Sequence, residues 1–441
     1  LEECKLKNVL IISYRFLDQK KIGSIRARAL AKYLKYYGWD ATILTARSEE
    51  ITNSLDYERY QIYDTKYDDI FDKWRNILKL KNNENVRNKL NLQEYKDKKT
   101  LIDYLLFLWE DIFMYPDVNA GWFKYALDEG TRILSNNNYD LILSTYPPAN
   151  AHMVANKLSK EFNIPWVADY RDLWTQYKVI QANKFKKYGP IRELLEKRLE
   201  RKVLSNATKL VTVSQPLADK LKACFKEKEI YVIKNGFDPE KVAEPNPRKD
   251  KLLIVYTGTV NFNKQDPELL FKALKYLLDK MLIQLNDFMI EFYGEHSEWL
   301  EREIIKHNLE NIVFYRGLVN RELSLMKQRE AQVLLFLNWN DPSASGIYTG
   351  KIFEYLSAGR PILSIGGSGG VVEDLLVETK AGVHLNSIEE IEKYLVNIYA
   401  EYKANGLVSY KGLPSMIDKY SHKEMAKKFS SIFDSIVNAR K

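Results

Sequence analysis

The residues with most chemistry to offer lie in one run, Ser345-Gly346-Ile347-Tyr348-Thr349-Gly350-Lys351-Ile352-Phe353-Glu354-Tyr355-Leu356-Ser357-Ala358-Gly359-Arg360-Pro361-Ile362-Leu363-Ser364. Small residues lead into a short amphipathic helix that stops at Gly359, and a buried-type strand follows. Thr349-Gly350 leaves backbone N–H groups at the helix start, which suits an anion. Glu354 stands one turn further in, within reach of a sugar hydroxyl, and Lys351 lies between them. A nucleotide-sugar meets all three features. An ordinary loop–helix–strand unit with a glycine stop would carry the same pattern.

Similar loops follow other apolar runs in the second half: Thr257-Gly258-Thr259-Val260 with Lys264, then Gly294-Glu295, then Arg316-Gly317. Gly258 lets a backbone approach a diphosphate, and Lys264, Arg316 and Lys351 can neutralise it. In the first half, Lys20-Lys21-Ile22-Gly23-Ser24-Ile25-Arg26 opens a helix around a glycine that a phosphate or sugar can approach. Ser144-Thr145-Tyr146-Pro147-Pro148 and Ala168-Asp169-Tyr170-Arg171-Asp172-Leu173-Trp174 end two further strands. The two carboxylates and Arg171 either serve an acceptor hydroxyl or form a buried ion pair that closes the loop.

Other chemistries lack their residues. G-x-G-x-x-G and the Walker pattern are absent, which argues against bound NAD, FAD or a P-loop nucleotide. The five histidines, His152, His296, His307, His384 and His422, show no i, i+4 pairing, and no metal set is expected. No G-x-S-x-G elbow is present, and neither Cys4 nor Cys224 has the context of a nucleophile.

Strand and helix patterns alternate along most of the 441 residues, so two or three domains and parallel sheets are expected. Asn8–Ser13, a helix Ile25–Tyr37 and Asp40–Thr45 make a first βαβ unit. A Lys-, Asn- and Tyr-rich stretch from about 55 to 115 interrupts it and reads as a helical insertion, with an apolar aromatic segment at Leu105–Tyr115. The series resumes through Ile230–Ile233. A Pro-rich linker at 239–251 precedes a second series starting at Leu252–Tyr256. The expected division is 1–240, 241–418 and a terminal helix in 419–441. Ligands of such sheets bind at the carboxyl ends of the strands, at the switch point. Two such halves facing each other would place one in a cleft.

Net charge is +8, a mild excess that suits anionic small molecules or an anionic membrane surface better than nucleic acid. No apolar run reaches the ~18–20 residues of a membrane helix. Leu1-Glu2-Glu3 lacks the start of a signal peptide, and two distant cysteines suit a reducing compartment. A cytoplasmic location is expected, with peripheral contact at the inner membrane face through Lys73–Lys99 and Lys184-Phe185-Lys186-Lys187.

These residues resemble the retaining GT-B glycosyltransferases of the family-4 type, in the branch that builds bacterial surface polysaccharides. The resemblance runs over nearly the whole chain. Lys351–Pro361 looks like the family's donor-binding helix, K-[LI]-F-E-Y-[LM]-A-x-G-[KR]-P. Tyr146-Pro147-Pro148, Asp169–Trp174 and Tyr115-Pro116-Asp117 followed by Trp122 match the same branch. Ile233-Lys234-Asn235-Gly236-Phe237-Asp238 is similar to its domain-junction motif, with Lys234 where proline is common.

The resemblance implies a fold of two doubly wound Rossmann-like domains facing a cleft. It also implies metal-independent transfer, with retention, from a nucleoside-diphosphate sugar, UDP-sugar foremost. A hexosyl or N-acetylhexosaminyl group would pass to a polysaccharide or lipid-linked saccharide, with no cofactor. Glu354 would be the second glutamate of the E-x7-E motif, on the ribose hydroxyls. The first falls at Gly346 and is missing. Gly258, Thr259 and Lys264 match the diphosphate loop, and Gly23 matches the glycine of the first-half loop. Gly294, Arg316, Thr349, Gly350 and Lys351 complete the expected donor set. Asp172, Arg171 and Lys264 are the catalytic candidates. Thr145-Tyr146 occupies the place of a histidine common in relatives. A nucleotide-sugar epimerase of the same fold and an inactive nucleotide-sugar-binding scaffold are the competing readings.

Overall fold

The computed structural model describes residues 6–18, 22–47, 54–68, 115–117, 119–176, 192–262, 264–341 and 346–440. Lys20, Lys21, the Leu105–Met114 segment, Lys73–Lys99, Lys184–Lys187 and Ser345 lie outside them. The chain forms two compact units, Leu1–Ile233 with Ala426–Lys441, and Lys234–Met425.

Among the described residues the first unit holds a seven-stranded sheet. Its strands are β1 (Lys7–Ile12), β2 (Trp39–Ala46), β3 (Gln61–Thr65), β4 (Leu141–Tyr146), β5 (Trp166–Tyr170), β6 (Lys209–Thr212) and β7 (Ile230–Val232), in the order β3-β2-β1-β4-β5-β6-β7. Each recorded pairing is parallel. Parallel sheets are covered on both faces, so their central strands read as continuous apolar runs. Val9 to Ile12 and Leu141 to Leu143 are accordingly sealed from solvent. The order reverses between β1 and β4, where the Thr145 hydroxyl donates to the Ser13 hydroxyl (3.4 Å). Loops beyond these two strands therefore border the switch point.

The expected insertion near 55 to 115 needs one correction. Residues 54–65 form a short helix, Ser54–Arg59, and the edge strand β3, paired in register with β2 from Thr42↔Gln61 to Ala46↔Thr65. Gln61-Ile62-Tyr63-Asp64-Thr65 is largely half-buried and mixes polar with apolar residues, as an edge strand does.

The last helix, His422–Asn438, belongs to the first unit from Ala426 onward. Phe433 meets Trp39 edge-on at 5.1 Å, and Asp434 accepts from Lys7 Nζ and Trp39 Nε1.

The second unit has a six-stranded parallel sheet among its described residues. Its strands are β8 (Leu252–Thr257), β9 (Phe288–Tyr293), β10 (Val313–Gly317), β11 (Val333–Leu337), β12 (Ile362–Ile365) and β13 (Gly382–Leu385), in the order β10-β9-β8-β11-β12-β13. The switch point falls between β8 and β11. Helices Glu268–Asp279 and Ile388–Asn405 bury Leu270, Leu274, Leu277, Ile391 and Leu395 in the core shared with β8 and β9. Helices Gly350–Ser357 and Val371–Thr379 bury Ile352, Tyr355, Leu375 and Leu376 on the other face. A Ser387–Glu390 capping box starts Ile388–Asn405, and left-handed Gly406 ends it.

Residues 234–238 and 420–422 are fastened together within the second unit. Phe237 N–H donates to the Tyr420 carbonyl and His422 N–H to that of Phe237 (3.1 and 2.8 Å). Lys234 Nζ donates to the Tyr420 hydroxyl, which donates to Glu378 (2.9 and 2.6 Å). The division between units thus falls at Ile233, ahead of the Pro-rich linker. Among the described residues, no helix is long and apolar enough to cross a membrane.

Candidate functional site

The carboxyl ends of β8, β9 and β10 are tightly joined. Gly258 N–H donates to the Tyr293 carbonyl (2.6 Å) and Gly294 N–H to that of Gly317 (3.0 Å). A side chain on Gly294 would collide with the Gly258 carbonyl, so only glycine lets these backbones approach so closely. Gly258 has a φ of +107°. The Tyr256 hydroxyl donates to the Thr259 carbonyl (3.1 Å). Gln265 is buried and fastens the loop from both sides: its Oε1 accepts from Asn261 N–H and its Nε2 donates to the Leu337 carbonyl (3.2 and 2.7 Å).

Helix Gly350–Ser357 is pinned to the same strand. The Tyr355 hydroxyl accepts from Thr257 N–H (3.0 Å). That contact brings Lys351 over β8: Nζ lies 3.6 Å from the Tyr256 ring centroid and 3.0 Å from where a Cβ on Gly258 would stand. Burial lowers the Lys351 pKa to about 7, against the opposing pull of Glu354. Thr349 precedes the helix in an extended conformation, and its Oγ1 is buried without a hydrogen-bond partner. Glu354 Oε1 is 2.7 Å from Arg321 Nη2.

The other expected cations meet groups of their own. Lys264 Nζ lies 5.0 Å from the Trp339 ring centroid. Arg316 grips Glu291 through Nε and Nη2 (2.9 and 2.8 Å), and Glu291 also accepts from the Tyr293 hydroxyl (2.6 Å). Gly258, Thr259, Gly294, Thr349, Gly350 and Lys351 therefore gather around the end of β8, while Arg316 is held in a separate ion pair.

Several residues of this edge escaped the sequence reading. Gly366, Gly367, Gly369 and Gly370 have φ values between +59° and +79°, and they lead from β12 into helix Val371–Thr379. Asn340 Oδ1 accepts from Gly367 N–H, and Asn338 Nδ2 donates to the Gly369 carbonyl (3.2 and 3.1 Å). The G-G-S-G-G run itself was a readable punctuation signal. Gln265 and Arg321 carried none.

The first unit gives one carboxylate of the Asp169–Trp174 loop a partner from another element. Asp169 forms a buried bidentate pair with Arg26 (2.8 and 2.9 Å), and Arg26 also donates to the Ile233 carbonyl (3.0 Å). Asp169 is thus held in a buried ion pair whose partner is Arg26, a residue outside the loop. Arg171 turns the other way, with Nη1 2.9 Å from a Cβ position on Gly23 and Nη2 donating to the Pro147 carbonyl (3.2 Å). Burial lowers the Arg171 pKa and raises that of Asp172, each opposed by the other's charge. Gly23 and Arg171 are therefore brought together beside the switch point, with Asp172 next to Arg171 in the chain.

Three further residues of this unit take structural places. Asp117 accepts from Ala149 N–H (2.8 Å), capping helix Ala149–Phe162. His152 is 0% exposed, bonded to the Ser144 hydroxyl through Nδ1 (2.7 Å), and burial lowers its pKa to about 3. Glu200 lies beneath the loop, accepting from Tyr170 Oη (3.1 Å), Gln176 Nε2 (2.8 Å) and the Thr175 hydroxyl. Burial raises its pKa to about 7.

One carboxylate–histidine cluster was not foreseen. Glu268, Glu303 and His307 place potential ligand atoms within 4.8 Å of one another. Lys306 contacts Glu303 (2.9 Å) and Glu268 (3.6 Å), and Lys272 contacts Glu268 (3.1 Å). Two ammonium groups already neutralise the charge that would attract a cation, so we read the group as a surface ion-pair network.

Residues 112–241 match the family model described as Glycosyltransferase Family 4, a span that includes Tyr146–Pro148 and Asp169–Trp174. Sucrose-phosphate synthase from Thermosynechococcus elongatus superposes with a TM-score of 0.61 at 14% identity, covering 98% of this chain and 100% of that one. Anabaena HepE in complex with UDP and glucose gives 0.59 at 11% identity, covering 97% and 100%. The lipopolysaccharide outer core galactosyltransferase WaaB, in its apo form, gives 0.56 at 13% identity, covering 98% and 99%. These findings support a glycosyltransferase. The fold is GT-B, with two Rossmann-like α/β domains, as the resemblance implied. No curated protein matches the sequence. At these identities the neighbours speak for the fold alone, and the family match spans residues 112–241, less than half of the chain.

Proposed function

We propose that this protein transfers a sugar from a nucleoside-diphosphate sugar, with UDP as the nucleotide, to a hydroxyl of a saccharide or lipid-linked saccharide. The supporting observation is Lys351 set against Gly258 at the carboxyl end of β8, one turn before Glu354. The HepE structure, a fold neighbour, holds UDP and glucose.

In this reading the diphosphate lies over Gly258 and Thr259 at the N-terminus of helix Gly350–Ser357. Lys351, Lys264 and the helix N–H groups stabilise the negative charge that grows as the anomeric C–O bond breaks. A well-placed donor of this kind commonly contributes about 3 kcal/mol. Glu354 receives the ribose hydroxyls. The acceptor oxygen attacks the anomeric carbon from the face the phosphate leaves, so configuration is retained. Its proton passes to a phosphate oxygen, which spares the protein a dedicated base. Charge stabilisation comes from the chain's own cations, so the transfer proceeds without a metal or other cofactor. Arg171 and Asp172, beside Gly23, orient the acceptor. The acceptor is drawn from polysaccharide or cell-envelope intermediates, with an anionic inner membrane surface as a peripheral partner.

A thermal-shift screen of UDP-, GDP-, ADP- and dTDP-sugars tests the donor assignment, since a ligand of the folded state raises its midpoint. A rise with UDP-sugars foremost is expected. Release of UDP only when a saccharide acceptor is added separates transfer from epimerisation.

A further inference from the structure

We propose that Arg321 is a positioning residue of the nucleotide site, holding the Glu354 carboxylate in the orientation that receives the ribose hydroxyls of a nucleoside diphosphate. This deepens the donor-site reading above and rests on it. Arg321 Nη2 stands 2.7 Å from Glu354 Oε1, with the arginine side chain 57% exposed and the glutamate 27%. The contact joins two helices that follow different strands of the sheet, β10 and β11.

Helix stability does not account for Arg321. It is the first residue of helix Arg321–Glu330, where a cation opposes the helix dipole. Asn320 already caps that end by accepting from Leu323 N–H (2.8 Å), and Glu322 supplies an acidic group in the first turn. The cap fixes the point from which Arg321 leaves the helix. An ion pair this exposed adds little to folding stability.

The contact does constrain a carboxylate. A free glutamate side chain samples several staggered rotamers, and the planar guanidinium fork favours the one that meets it. A carboxylate offers about four lone-pair sites, so with Oε1 engaged by one guanidinium nitrogen it can still accept incoming donors. Ribose offers two vicinal hydroxyls, the donor pattern that suits it. Lys351, at i−3 on the same helix, shares that face. Lys351 then meets the diphosphate and the Arg321–Glu354 pair meets the ribose.

Calorimetric titration of the full chain with UDP and with 2′-deoxy-UDP tests the proposal. The wild-type protein is expected to prefer UDP by about tenfold, because a site built for a hydroxyl penalises its loss. Arg321→Ala, at an exposed position, should keep the melting temperature and reduce the preference to about twofold, as Glu354→Gln should; the double variant should be no worse than Glu354→Gln alone. Arg321→Lys should recover only part of the preference. If Arg321→Ala leaves the UDP/2′-deoxy-UDP ratio intact, whether or not both affinities drop, the positioning role is overturned. If the wild-type protein binds none of UDP, GDP or ADP, the donor-site reading itself fails and this proposal falls with it.

Discussion

Lys351 holds its ammonium 3.6 Å from the centroid of the Tyr256 ring, and burial brings its pKa to about 7. A lysine ordinarily titrates near 10.4. Between roughly pH 7 and 10.4 the unfolded chain therefore binds more protons at this group than the folded chain does, so its contribution to stability rises with pH across that window. An empty site carries a partly neutral lysine at pH 7.5, and an arriving diphosphate favours the charged form.

The first prediction follows directly. Nucleoside-diphosphate binding should take up protons near pH 7.5, which titration in buffers of different ionisation enthalpy detects. Lys351→Met keeps a flexible chain over Tyr256 without the charge. It should lose that proton uptake and weaken UDP binding at least about tenfold. Its melting temperature should exceed that of the wild-type protein at pH 6, with the gap narrowing toward pH 10. A wider gap at high pH would contradict the sign.

Glu354 gives a second prediction. Glu354→Ala should weaken nucleotide binding at least tenfold, a loss of about 1.4 kcal/mol. An unchanged titration curve would remove Glu354 from the site.

The third prediction concerns Glu200, whose carboxyl burial raises to about 7. An unfolded glutamate titrates near 4.3. From about pH 4.3 to 7 the folded chain holds the extra proton, so this group's stabilising contribution is full at low pH and fades as pH rises through 7. Glu200→Gln, always neutral, should flatten that part of the profile and be more stable than the wild-type protein at pH 8. Urea melts at pH 5 and pH 8 measure it; equal wild-type midpoints with an unchanged Gln variant would refute the assignment.

The legible parts of this molecule were those governed by local pattern. Leu252–Tyr256 and Phe288–Tyr293 read as strands because both faces of a parallel sheet are covered, and they are β8 and β9. β3 and β13 went unread because edge strands are short and half-exposed; Gly382-Val383-His384-Leu385 has no apolar run. The motif glycines Gly258 and Gly294 lie at strand ends, as their spacing implied. Partners distant in sequence could not be read. Arg316 reads as a spare cation until Glu291, 25 residues earlier, is seen to hold it. Glu354 reads as unpaired until Arg321 is seen beside it. Such pairings depend on tertiary packing, which single-sequence periodicity does not encode.

The fourth prediction uses the two carboxylates that one loop presents. Asp169 is matched by Arg26, 143 residues away in sequence, with side-chain exposures of 0% and 2%. Removing one member of a buried pair leaves the other charged and unsolvated, so Asp169→Ala should destabilise by about 3–5 kcal/mol. Among the described residues Asp172 has no such partner in the core; burial raises its carboxyl and Arg171 opposes the rise. Asp172→Asn should therefore melt close to the wild-type protein. In the proposed transferase it should lower acceptor-dependent turnover by ~100-fold, in the range of a lost acid–base or orienting group, with nucleotide affinity unchanged. Denaturant melts and UDP titrations of the two variants separate the roles. If Asp172→Asn unfolds as readily as Asp169→Ala, the loop has two structural carboxylates and Arg171 alone remains to meet an acceptor.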